Sequence, residues 1–201
     1  MQKPMSRSFV FAALLALPLA LAACGEDDPP SQPSSGTGGS GGTGAGGAGG
    51  GSAEDLEMQA GDFDCILEWD QVRLFRITNK LGNLAGSLAV ANEPGSGDYP
   101  VGTVIQLVPN EAMVKRRAGF SPETSDWEFF LLDAQATGTT IVQRGTTEVT
   151  NMFGNCFDCH NLAQPQFDLI CEKDHGCDPL PVGDDVLLGV QNGDPRCMAG
   201  N

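Results

Sequence analysis

The chain predicts an α+β domain: a mainly antiparallel β-sheet with flanking N-terminal helices and a C-terminal segment built on Cys156-x-x-Cys159-His160. Three observations lead there. Between Gly102 and Arg144 the residues run in short β-branched and aromatic stretches parted by tight turns, and turns that short favour antiparallel neighbours. Upstream, from about Asp64, apolar residues recur at near-helical spacing instead. Downstream of Gln164, prolines and cysteines replace any periodicity. Helices, then strands, then an irregular tail fit α+β rather than an alternating α/β order.

Each element has its own signal. Ser52-Ala53-Glu54-Asp55 resembles a capping box opening a short helix that stops at Gly61. A second helix is expected from about Asp64 to Thr78, with Ile66, Trp69, Val72 and Phe75 near one face. Asn79 and Gly82 end it, and Asn83 caps a third helix carrying Leu84, Leu88 and Ala91. Glu93 to Asp98 is turn chemistry. Strands follow at Gly102–Val108, Glu111–Arg117, Asp126–Leu132 and Thr139–Arg144, the last two parted by Thr137-Gly138.

The first 23 residues carry Lys3 and Arg7 and then an apolar run from Phe9 to Ala23, shorter than the ~18–20 residues that span a bilayer. They predict a signal peptide. Its end, Leu21-Ala22-Ala23-Cys24, resembles a bacterial lipobox, which implies cleavage before Cys24 and acylation there; the alternative is an ordinary A-x-A-type cut. Gly25 is not the Asp that by family rule holds lipoproteins at the inner membrane, so an exported, outer-membrane anchorage is expected. Residues 24–53 read as the lipidated Cys plus a Gly-rich linker, with a span of about 30 Å if flexible. Residues 54–201 are then one domain with chain enough for a core. Once Lys3 and Arg7 leave with the leader, nine cations face 26 acids, a charge of −17 with His neutral. That sign excludes nucleic acid as a partner. It serves solubility first, and would also suit a basic redox partner protein.

Asn155-Cys156-Phe157-Asp158-Cys159-His160 has the spacing of c-type haem attachment. Two thiols one turn apart can form thioethers to two vinyl groups, and the next imidazole can ligate the iron, giving one covalent haem c. The competing readings are a thioredoxin-like dithiol, which would need a βαβ context, and half a zinc site, which would need a second Cys/His pair. Neither context is visible. Four cysteines remain for disulfides in an oxidising space: Cys65, Cys171, Cys177 and Cys197. The short loop from Cys171 to Cys177 suggests a local staple, leaving Cys65 for Cys197; three pairings stay open.

Tyr99-Pro100-x-Gly102-Thr103-Val104-Ile105, Asp126-Trp127-Glu128-Phe129-Phe130 and the C-x-x-C-H followed by Phe167-Asp168 together resemble the cytochrome P-460 family and its relative, cytochrome c′-beta. The resemblance covers roughly Asp62 to Pro181. It implies an antiparallel sheet with flanking helices, a single haem c with a proximal His and an open distal face, small nitrogen species such as hydroxylamine or nitric oxide as ligand or substrate, and homodimers. It carries Cys156, Cys159 and His160 directly. Members of the P-460 type also link a lysine to the haem edge, for which Lys115 is the candidate catalytic residue here. On the residues themselves, Arg116 and Arg144 are candidates for pairing with haem propionates, alongside Lys115 and Arg117, the alternative being a solvated basic edge that discourages strand association; alternation along a strand forbids all three neighbours from facing one side. For the second axial position the chain offers His175 (expected as an exposed loop residue), Met113, Met198, Lys115 or nothing, with Trp127, Phe129, Phe130 or Phe120 as an aromatic wall. The expected function is therefore an extracytoplasmic, membrane-tethered cytochrome that binds or oxidises small nitrogen species. An electron-transfer cytochrome without a substrate, or a haem-free binding or structural domain, are the alternatives.

Overall fold

A computed structural model describes residues 55–198. The expected leader, Cys24 and the Gly-rich linker lie outside the described residues. Six strands form one antiparallel sheet in sequence order: β1 (Asp70–Val72), β2 (Phe75–Asn79), β3 (Thr103–Gln106), β4 (Glu111–Lys115), β5 (Trp127–Gln135) and β6 (Gly138–Gly145). Helix α1 (Leu84–Asn92) joins β2 to β3. A hairpin of β7 (Thr150–Asn151) and β8 (Gly154–Asn155) leads into α2 (Cys156–His160), and α3 (Asp184–Asn192) follows. The mainly antiparallel α+β class predicted from the turns is the one observed.

Register divides the sheet into two faces. Ile77, Ile105, Met113, Trp127 and Phe129 bury on the front with α1, Tyr99, Leu169 and Ile170. Val104, Ala112, Val114, Phe130 and Leu132 bury on the back beneath Met58, Phe63, Ile66 and Trp69. Central strands are thus covered on both sides, as the unbroken burial of β3 requires. Each large side chain so buried stabilises by about 1.5–3 kcal/mol relative to exposure. The bulge at Leu131/Leu132 shifts the pairing of β5 with β6.

The N-terminal half departs from expectation. No helix opens at Asp55: residues 55–59 are irregular and only a 3₁₀ turn forms at Ala60–Asp62. Asp55 and Glu57 instead pair with arginines while Leu56 and Met58 pack on the back of the sheet. The helix expected over 64–78 is also absent. Residues 66–68 make one 3₁₀ turn, and 70–79 form the β1–β2 hairpin, with Arg73 at φ 51° in its turn. The near-helical spacing was coincidental, because Ile66 and Trp69 serve the back core whereas Val72, Phe75 and Ile77 serve the front. The alternation Phe75, Ile77, Asn79 is the pattern that pairing with β3 rewards. The third helix forms as expected: the Asn83 side chain accepts from the Gly86 amide. Helix α3, where an irregular tail was expected, buries only Leu187 and Gln191. Gln191 fastens it by donating to the carbonyls of Leu74 and Leu107.

Both disulfides the spacing suggested are present, Cys171–Cys177 and Cys65–Cys197. The second joins the start of the domain to its last turn, beside the buried Asp194–Arg196 pair whose carboxylate accepts from the Ile66 amide.

Candidate functional site

Of the six cysteines in the described residues, Cys156 and Cys159 alone are free. They sit on α2, a short helix that Asn155 starts by accepting from the Asp158 amide at 3.1 Å while donating to Thr147 at 2.7 Å. Helical spacing places Cys156, Cys159 and His160 on one side. Phe157 and the half-buried Cys156 pack on the front core, and Cys159 is exposed.

His160 is held from two directions. Its ring lies 5.3 Å from that of Phe129 on β5, and Nδ1 lies 2.7 Å from the Leu169 carbonyl. A carbonyl only accepts, so Nδ1 carries the proton and Nε2 keeps a free lone pair. This is the tautomer and the outer hydrogen bond that metal-ligating histidines use. Burial pushes the imidazole pKa down against the pull of Leu169, so the ring is neutral at pH 7.

The Leu169 carbonyl is itself aimed by a strained loop. Asp168 and Leu169 both have left-handed backbone, φ 48° and 62°. Such residues cost about 1–3 kcal/mol each and persist where surroundings over-determine them. Here Lys115 Nζ lies 2.7 Å from both Asp168 carboxylate oxygens, the Tyr99 amide donates to the same carboxylate at 2.9 Å, and Trp127 Nε1 donates to the Asp168 carbonyl at 2.9 Å. Burial raises the Asp168 pKa, while Lys115 and the Tyr99 amide pull it down. The sheet thus grips Asp168, and the next carbonyl orients His160.

That grip redefines Lys115. Its buried ammonium also donates to the Ser125 carbonyl at 2.8 Å and lies 5.1 Å from the centre of the Trp127 ring. It is on the same face as His160, but committed to Asp168. Arg116 and Arg144 are not brought to the motif at all. Both lie on the back of the sheet with Glu128, over Phe120 and Phe130 respectively. Arg116 also takes Asp55 at 3.0 Å and Glu57 at 2.9 Å, and Arg144 takes Glu128 at 2.7 Å and Glu57 at 2.8 Å. Strand parity puts them opposite Lys115, so the expected propionate role has no geometric basis here.

The axial and aromatic candidates divide the same way. Trp127, Phe129 and Met113 share the front with His160; Phe130 and Phe120 do not. His175, expected on an exposed loop, is only 7% exposed; its ring stacks on Phe167 at 3.7 Å and its Nδ1 meets the Ile170 carbonyl at 2.7 Å. Met198 is exposed beside Cys197. The Leu169 carbonyl carries no sequence signal, being backbone. Asp168 did, as the acid following Phe167 in the resemblance.

Burial pushes the Cys156 thiol up to about 11, with the Glu111 carboxylate adding to it, and burial raises Cys159 as well. A reactive redox dithiol needs the opposite shift. Among the described residues no three His, Cys, Asp or Glu side chains gather as a metal cluster. Two unpaired thiols on one turn, beside an imidazole whose Nδ1 is engaged, are a donor set that a c-type haem would fit. Compared with protein-family models, curated proteins and solved structures, the chain matches none.

Proposed function

We propose that this chain is an exported mono-haem c-type cytochrome, with Cys156 and Cys159 as the thioether residues and His160 as the proximal ligand. The observation that carries the reading is the sorting of cysteines: four close disulfides, and the two in C-x-x-C-H stay free beside a histidine whose Nδ1 proton is engaged. The disulfides fit an oxidising compartment and so the export signal. When bound, haem supplies an iron that can exchange electrons or take a small ligand. The chain's own residues do the rest. Leu169 orients the imidazole, Asp168 and Lys115 brace Leu169, and Phe129 supports the ring from the sheet. Hydroxylamine or nitric oxide as substrate or ligand, a membrane anchor at Cys24 and a homodimer belong to this proposal through the sequence resemblances.

The test is intact mass and a pyridine haemochrome spectrum of the chain expressed with cytochrome c maturation machinery. One haem added per chain is expected, and Cys156→Ala/Cys159→Ala removes it. A colourless product of bare polypeptide mass overturns the reading. In the haem-loaded chain, prompt nitric oxide or carbon monoxide binding supports an open iron site; indifference to both gases leaves only electron transfer.

A further inference from the structure

We infer that the apolar cavity between the β7–β8 hairpin and α3 is the seat of the porphyrin ring, an inference that rests on the haem reading above. The cavity measures about 460 Å³, within the range of small-molecule and cofactor sites. Its floor includes Leu131 and Glu111, cross-strand partners on the front of the sheet. The next front-face pair along the same ladder is Phe129 and Met113, and His160 rests on Phe129. The floor is therefore one same-face step, about 7 Å, from the support of the imidazole. A macrocycle held by Cys156, Cys159 and His160 would be broad enough to reach it.

The tether points to the same place. Met152 and Phe153 form the tip of the hairpin whose second strand ends at Asn155, the cap of α2, and Cys156 packs in the core cluster that also holds Leu131. The walls are unfinished as they stand. Met152 is 89% exposed, Phe153 63%, and Val186 and Val190 on α3 are 49% and 42% exposed. Apolar groups gathered at a concavity mark a binding site rather than an ordinary surface. The one ionisable wall residue, Glu111, accepts from Asn151 Nδ2 at 2.7 Å, and burial raises its pKa while Asn151 pulls it down. The α3 wall lies beyond the stretch of the sequence resemblance, so its part was not foreseeable from that resemblance.

Hydrogen exchange followed by mass spectrometry tests the seat, comparing the haem-loaded full chain with its Cys156→Ala/Cys159→Ala form. Amides of 150–155 and 184–192 are expected to exchange about tenfold slower or more when haem is attached. Val186→Asp with Val190→Asp, at exposed positions that spare the fold, is expected to retain the haem mass and shift the Soret band. A haem-loaded chain with no added protection in those two segments overturns the inference, as does an unshifted spectrum in the double variant. Protection that grows with protein concentration gives the patch to a second copy and overturns it too. A chain with no haem mass removes the functional reading itself, which the mass measurement distinguishes from the other failures.

Discussion

Asp168 has the most to hold at the scale of single residues. One carboxylate answers Lys115 and the Tyr99 amide, and its own carbonyl answers Trp127, so a left-handed backbone pair stays in place. A buried ion pair adds little net stability over an apolar one, but removing a single partner strands the other charge. Asp168→Asn is therefore expected to lower unfolding free energy by about 3 kcal/mol or more, measured by denaturant titration. The same variant loosens the Leu169 carbonyl. If the functional proposal holds, the iron–histidine stretch of the haem-loaded chain shifts in resonance Raman; an unchanged stretch with the stability loss intact would reduce Asp168 to a purely structural brace. Lys115 is a catalytic candidate only through the sequence resemblance, which implies a lysine linked to the haem edge, and through its place on an expected strand. Its partner is fifty-three residues away in sequence, and no local pattern announces such a pairing.

Between elements, the decisive fact is the period of two along a strand. Lys115 and Arg116 are neighbours in sequence, yet one meets the motif loop and the other meets Glu128, Asp55 and Glu57 behind the sheet. Arg116→Gln should cost about 3 kcal/mol by breaking the buried pair with Glu128. If the front-face motif holds a haem as proposed, the variant should leave the absorption spectrum of the haem-loaded chain unchanged, because the sheet would stand between them. A shifted Soret band in that variant would place Arg116 near the haem and refute the assignment of faces. The same parity explains the lost helix over 64–78. Spacing alone cannot tell a helix face from two short segments that feed opposite cores, and Ile66 with Val72 is such a case.

Across the whole molecule, the sheet works as a wall with two trades. The back binds the N-terminal segment through an acid–arginine network and through Phe63, Ile66 and Trp69; the front carries α1, the motif and the braced loop. The Cys65–Cys197 bond closes this arrangement over a separation of 132 residues. A loop of that length corresponds to about 5 kcal/mol in the chain-entropy description, less if the reduced chain keeps residual structure. Cys65→Ser with Cys197→Ser is expected to lower the melting temperature by well over 10 °C, following the ~4–8 °C per kcal/mol of small domains scaled to this length. Calorimetry reads it directly. A loss under a degree would mean that Asp194, Arg196 and Ile66 alone hold the termini.

What the sequence determined by itself is chemistry that neighbours carry: the C-x-x-C-H turn, the four strands β3 to β6 with their short turns, the Asn83-capped helix, and the cysteine spacing that suggested both disulfides. Each depends on residues a few positions apart, where local sterics and hydrogen bonding act before any fold exists. Tertiary structure alone decided which face each cation joins, that 70–79 pairs as a hairpin, that 184–192 becomes a helix, and that the Leu169 carbonyl orients His160. Those outcomes are set by burial and pairing between segments far apart in the chain, and a free energy shared by distant partners leaves no mark in the local spacing of either.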